Sequence, residues 1–187
     1  MPLVLAVLVA AVLIGYARGG RLRALATLDL RRPWLLAVAV VTQLTAAATR
    51  FVGEGTVEAL GPPLLAVGFA AVLLFLLANR HLPGIWLAFV GVALNTLVIL
   101  ANGAMPVSPR ALEVVGDASA ALPGGRHALL DARTQLPWLA DVIPVPPLRS
   151  VVSVGDLVLA AGVGWLVVRV MGSAPPPLEG AGAPEQG

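Results

Sequence analysis

The chain has 187 residues, of which 58% are hydrophobic and only 12% charged, with a mean hydropathy of +0.92. Soluble domains carry about 25% charged residues, so this composition excludes a water-exposed globule and predicts an all-α integral membrane protein. A net charge of +2, with every basic residue an Arg, gives no field for nucleic-acid binding, and the lack of cysteine excludes disulfides, thiol nucleophiles and Cys-held metals.

Five apolar segments, at residues 2–17, 33–49, 60–79, 84–102 and 152–171, are bounded by charges, Pro or Gly. Each approaches the roughly 20 residues that a bilayer core of about 30 Å requires. They predict one bundle of about five transmembrane helices over residues 1–171. The tail, residues 172–187, is rich in Pro, Gly and Ala and is predicted to be disordered and cytoplasmic.

Orientation follows from arginine, which is retained on the cytoplasmic side of short loops. The first connection holds Arg18, Arg21, Arg23, Arg31 and Arg32 against Asp29 alone, and the third, NRHLPG, adds Arg80 and His81. In the second, Arg50 is opposed by Glu54 and Glu58. The first and third connections are therefore assigned to the cytoplasm of a bacterial cytoplasmic membrane, with the amino terminus outside. Tyr16, Trp34 and Trp86 then fall at the inner interface, and the five arginines of the first connection are positioned to contact lipid headgroups.

Residues 103–151 hold acids, arginines and prolyl clusters among short apolar pieces, and predict a long ordered outer loop between spans four and five. Ser108 before Pro109 is a helix-start signal, and Gly116 stops that helix after two turns. The stretch LPWLADVIPVPP, with Trp138, either lies on the outer leaflet or packs on the protein surface.

Few polar side chains interrupt the spans, and each that does is a candidate for function or for helix association. Gln43 and Asn95 have similar depths, Asn102 and Asp156 both approach the outer interface, and together they predict a polar intramembrane cluster in the outer half of the bundle. Asn95 and Asn102, seven residues apart, share a helix face. In SVGD, Ser153 and Asp156 have capping-box spacing, so Asp156 has a structural explanation at the head of its helix. His81 and His127 lie on opposite predicted sides, which leaves no metal site, and no phosphate-loop or GxSxG pattern occurs.

From GGRLR through NRHLPG and LNTLVILANGAMPVS to LPWLADVIPVP and SVGD, the chain resembles a family of small bacterial multi-pass membrane proteins described only as a domain of unknown function. That resemblance implies the five-span architecture and no activity. A much weaker one is to lipoprotein signal peptidase, an intramembrane aspartic protease with one acid in a short outer segment and a second at the head of its last span. LADVI and SVGD place Asp141 and Asp156 in that order, and the resemblance implies two carboxyls sharing a proton to activate water. That family's Gly-Asn and Asp-Arg motif after the penultimate span is missing unless Asn102-Gly103 stands in for it, and its N-x-G-x-A-F loop is absent.

The predicted function is a non-enzymatic accessory, lipid-interacting or assembly component without cofactor or metal. Its expected partners are membrane lipids and other membrane proteins or a second copy. An aspartic hydrolase acting through Asp141 and Asp156 is one alternative. A small transporter or channel is the other, although interrupted helices, its usual mark, are confined to Pro62 and Pro63.

Overall fold

A computed structural model of the protein describes residues 2–48, 54–116 and 127–173. Long helices occupy the apolar segments: α1 (Pro2–Ala17), α2 (Trp34–Ala48), α3 (Glu54–Ala78), α4 (Ile85–Asn102) and α6 (Val154–Met171). Between the last two lie a short helix, α5 (Pro109–Val115), and four short strands, β1 (Met105–Val107), β2 (His127–Leu129), β3 (Ile143–Val145) and β4 (Ser150–Val152). In α3, α4 and α6, runs of 18 or 19 residues are long and apolar enough to cross a membrane, while α1 and α2 are apolar but shorter, at 16 and 15 residues. The predicted tail lies almost wholly outside the described residues.

One boundary differs from the sequence reading. Helix α3 begins at Glu54, six residues before the apolar run at Leu60, so Glu54 and Glu58 belong to a helix rather than to a connection. Charges mark where an apolar run ends, not where a helix ends, and Glu, Ala and Leu all favour helix. Pro62 and Pro63 are accommodated inside it, as prolines are in helices that neighbours support.

The helices pack in the order α2, α3, α4, α6, α1. Glycine sets the closest of these contacts. Gly84 and Gly91 on one side face Gly162 and Gly155 on the other, an antiparallel register repeated every seven residues. A Cβ at Gly91 would lie 2.5 Å from the Gly155 carbonyl oxygen, and one at Gly162 would lie 2.6 Å from that of Gly84. Without side chains the backbones of α4 and α6 approach directly, which is how helices associate where lipid removes the hydrophobic drive. Helix α1 lies parallel to α6, with Ala11 and Gly15 against Gly164 and Met171, and Met171 is fully buried.

Two ties close the Arg-rich end of the bundle, called here the basic end. The Arg21 backbone N–H donates to the Met171 carbonyl at 3.1 Å, satisfying one of the terminal carbonyls of α6. Asn79, fully buried, donates through Nδ2 to the Arg31 carbonyl at 2.9 Å and accepts the Arg31 N–H at 2.8 Å. Its amide thus acts as a peptide group, pinning the connection after α1 to the end of α3.

The outward faces are apolar. Leu5, Leu13, Val40, Leu44, Val67, Leu74, Leu97, Leu100 and Trp165 are all exposed, and only 22–28% of each long apolar run is buried. Such a surface is unstable in water and suited to hydrocarbon.

Candidate functional site

Opposite the basic end, a small strand-bearing cap covers the junction of α4 and α6. Gly103, at φ +74°, turns the chain out of α4 into β1. Strand β1 pairs in parallel with β2, and Val107 also forms a parallel bridge to Asp141. The Asp141 N–H donates to the Pro106 carbonyl, and its own carbonyl accepts from the Ser108 N–H, both at 2.9 Å. Ser108 caps α5 by accepting from the Ala111 N–H, with Pro109 at its first position and Gly116 at φ +72° after its last, as the local signals predict.

From Asp141 the chain passes into β3, which returns antiparallel as β4 with Ile143 opposite Val152. Ser153 follows directly. The hairpin therefore brings Asp141, twelve residues back from Ser153, to the head of α6, where Asp156 resides.

The polar side chains at that head form a closed network. Asn95 Nδ2 donates to Asp156 Oδ1 at 2.7 Å, while Asn95 Oδ1 accepts from the Ser153 hydroxyl at 2.9 Å. The Asp156 N–H donates to Ser153 Oγ at 3.0 Å, and the Ser153 N–H donates to Asp156 Oδ2 at 3.2 Å, completing the capping box. Ser153 is fully buried. Each group thus stabilises both the start of α6 and its contact with α4.

Asp141 stands beside this network in a different state. It is 5% exposed, and its carboxyl is pushed up to about 7, chiefly by burial and secondarily by the negative charge of Asp156. The two acids therefore lie within electrostatic reach of each other. Burial and the Asp156 charge thus keep the Asp141 carboxyl protonated to a higher pH than an ordinary carboxyl.

The remaining predicted cluster members are directed elsewhere. Asn102 clamps the cap to the end of α4, donating to the Gln135 carbonyl at 2.9 Å and accepting its N–H at 2.8 Å. Gln43 sits at the α2–α3 interface near Gly68. Neither bonds to Asn95 or Asp156 among the described residues, because α2 is at the far edge of the helix row and Asn102 lies two turns beyond Asn95. Of the headgroup candidates, Arg18, Arg23, Arg31 and Arg32 are exposed and Arg21 is partly covered.

A model of a family of unknown function, DUF5317, matches residues 27–168. The chain belongs to that family. No curated protein and no solved structure matches it. The matched region holds Asn79, Asn95, Asn102, Asp141 and Asp156; all of α1 precedes it.

Two structural features leave no local mark in the sequence. The strands of the cap are three residues each, too short for alternation to show. No local pattern assigns Ser153 a partner on α4 or Asn79 a partner in the connection after α1. The signal for the α4–α6 contact was present as Gly-x6-Gly in both helices, at Gly84 and Gly91 and at Gly155 and Gly162.

Asn95→Leu and Asn102→Leu should each lower the melting temperature in detergent, the first by stranding the Ser153 hydroxyl and the Asp156 carboxylate, the second by releasing the cap. Losses on the order of 1–2 kcal/mol are expected for each. Because the two act on separate bonds, the double variant should show their sum. A strongly non-additive double variant would mean that the two amides work as one cluster after all.

Proposed function

We propose that the chain is a five-span protein of the bacterial cytoplasmic membrane, with its amino terminus outside and its carboxyl terminus in the cytoplasm. In this reading it serves as a non-enzymatic accessory component that assembles with lipids and other membrane proteins. The observation that carries it is the segregation of charge. Arg18, Arg21, Arg23, Arg31, Arg32, Arg80 and Arg169 collect at one end of the bundle, with Asp29 the only acid among the described residues there. At the cap end, Glu113, Asp131, Asp141 and Asp156 accompany Arg110, Arg133 and Arg149. A bilayer reads such a difference as inside and outside.

Exposed Tyr16, Trp34 and Trp86 stand at the basic end of three different helices, where an aromatic belt is favoured. Helices α1 and α2 reach only about 22–24 Å at 1.5 Å per residue. Local bilayer thinning and outward-reaching flanking arginines accommodate that shortfall. Asp156 supports the non-enzymatic role, since both of its carboxylate oxygens are engaged in holding α6 to its cap and to α4.

Single cysteines test the orientation, since the natural chain has none. In intact spheroplasts an impermeant maleimide should label Ala132→Cys, on the exposed cap, and spare Ser173→Cys until the membrane is permeabilised. The opposite pattern would overturn the assignment.

A second reading is favoured by one observation, the proximity of buried Asp141 to Asp156. In an aspartic hydrolase one ionised carboxyl takes a proton from water while the protonated partner donates to the scissile carbonyl. The test separating the two readings concerns the coupling between these acids.

A further inference from the structure

Between α1 and α6 runs a groove of about 380 Å³, walled by Val7, Ala11, Ile14, Gly164, Trp165 and Val168 and ended by Arg18 and Arg169. We propose that it is a specific site for an anionic phospholipid of the inner leaflet, its acyl chain along the apolar walls and its phosphate between the two guanidinium groups. This rests on the membrane reading above and names the lipid that the protein holds.

Three features select that occupant. The first is length. From Val7 to Arg18 a helix rises about 16 Å, and half of a bilayer core is about 15 Å, so the groove extends from the midplane to one interface. The second is wall chemistry. The groove is lined mainly by Val, Ala and Ile, with Trp165 exposed on its side and no acid lining it. A water-soluble anion has no use for such walls.

The third is the placement of charge. Helices α1 and α6 lie parallel, so Arg18 and Arg169 meet at the same end, each beside a helix carboxyl terminus. Both are exposed, and a guanidinium presents a planar fork to phosphate oxygens. Gly164 and Ala11, which let the helices approach closely, line the groove with little side-chain bulk and leave it open. A zwitterionic lipid fits the walls but brings its own cation to the two arginines, so discrimination by headgroup charge is the property that marks a site.

The test uses the full chain with Trp34, Trp86 and Trp138 replaced by Phe, leaving Trp165 as the reporter. It is reconstituted into phosphatidylcholine vesicles containing rising fractions of brominated phosphatidylglycerol or brominated phosphatidylcholine. Brominated phosphatidylglycerol should quench Trp165 at a roughly tenfold lower mole fraction, as two basic side chains at an anionic headgroup imply. In the double variant Arg18→Gln, Arg169→Gln the two curves should coincide. Ala161→Phe, which fills the apolar wall and leaves both arginines, should reduce quenching by the anionic lipid.

Equal quenching by the two lipids in the arginine-bearing protein overturns the proposal while leaving the membrane reading intact. No quenching by either overturns both. Reversal of the preference by millimolar inorganic phosphate overturns the assignment to a lipid, since it marks a site for the free anion.

Discussion

Gly91→Val should be among the most damaging single substitutions in this protein. The first added carbon alone meets the Gly155 carbonyl and the Leu159 backbone nitrogen at 2.5 Å. Both are backbone atoms, which no rotamer change can move aside. Helices α4 and α6 must part, and with them goes the Asn95 bridge to Ser153 and Asp156 one turn away. Overpacking costs typically 1–3 kcal/mol, and loss of the coupled hydrogen bonds adds about 1 kcal/mol or more. Thermal denaturation in detergent measures the effect. Val90→Leu, on the neighbouring exposed position, provides the control and should be nearly neutral. A Gly91→Val protein melting with the unsubstituted one would mean that the glycine register does not hold the two helices together.

The second large effect is a dependence on pH set by Asp141. Its carboxyl titrates at about 7 in the folded chain against an ordinary value of 3.8, because burial and the Asp156 charge both oppose ionisation. Between these values the folded state keeps a proton that the unfolded state has released. Stability should therefore decline as pH rises through this window, by at most about 4 kcal/mol, and level off above it. In Asp141→Asn no proton is exchanged, so its melting temperature should be nearly flat from pH 5 to 8 and exceed that of the unsubstituted protein at pH 8. A slope that persists in Asp141→Asn would show that another group titrates.

Asp156→Asn separates the two readings of the pair. It weakens the cap of α6, at a cost of about 0.5–2 kcal/mol, but also removes the charge that opposes ionisation of Asp141. If the acids act on one another, this variant shifts the pH midpoint of Asp141 downward, and the double variant departs from the sum of the singles at pH 8. Additive effects at every pH would sink the aspartic-hydrolase reading. Coupling without hydrolysis of any peptide or ester would leave the pair without a catalytic role.

Helix positions were legible in the chain because they depend on local and repetitive chemistry. Lipid-compatible runs bounded by Arg, Pro and Gly read off almost residue by residue, and the exception, α3, arises because a helix can outrun its apolar stretch. The caps at Ser108, Gly116 and Ser153 were also legible, since each signal acts within four residues. The polar residues Asn95 and Asp156 are legible as members of a cluster, but depth groups Gln43 with them, and depth and a shared helix face group Asn102 with Asn95, without fixing a bonding partner. Depth is one coordinate of three, and side chains at the same level can face different neighbours.

Partner choice belongs to the tertiary structure. Composition makes glycine available at residues 84, 91, 155 and 162, yet only the antiparallel register of α4 and α6 turns those positions into one contact surface. Likewise, no local pattern says that Asn79 will bind Arg31, or that a hairpin of three-residue strands will carry Asp141 to Asp156. Insertion into lipid is a sum over residues, each making nearly the same contribution wherever its helix lies, so it is written along the chain. The mutual influence of Asp141 and Asp156 and a groove lined by Arg18 and Arg169 require groups far apart in sequence to come together, and that is decided by packing.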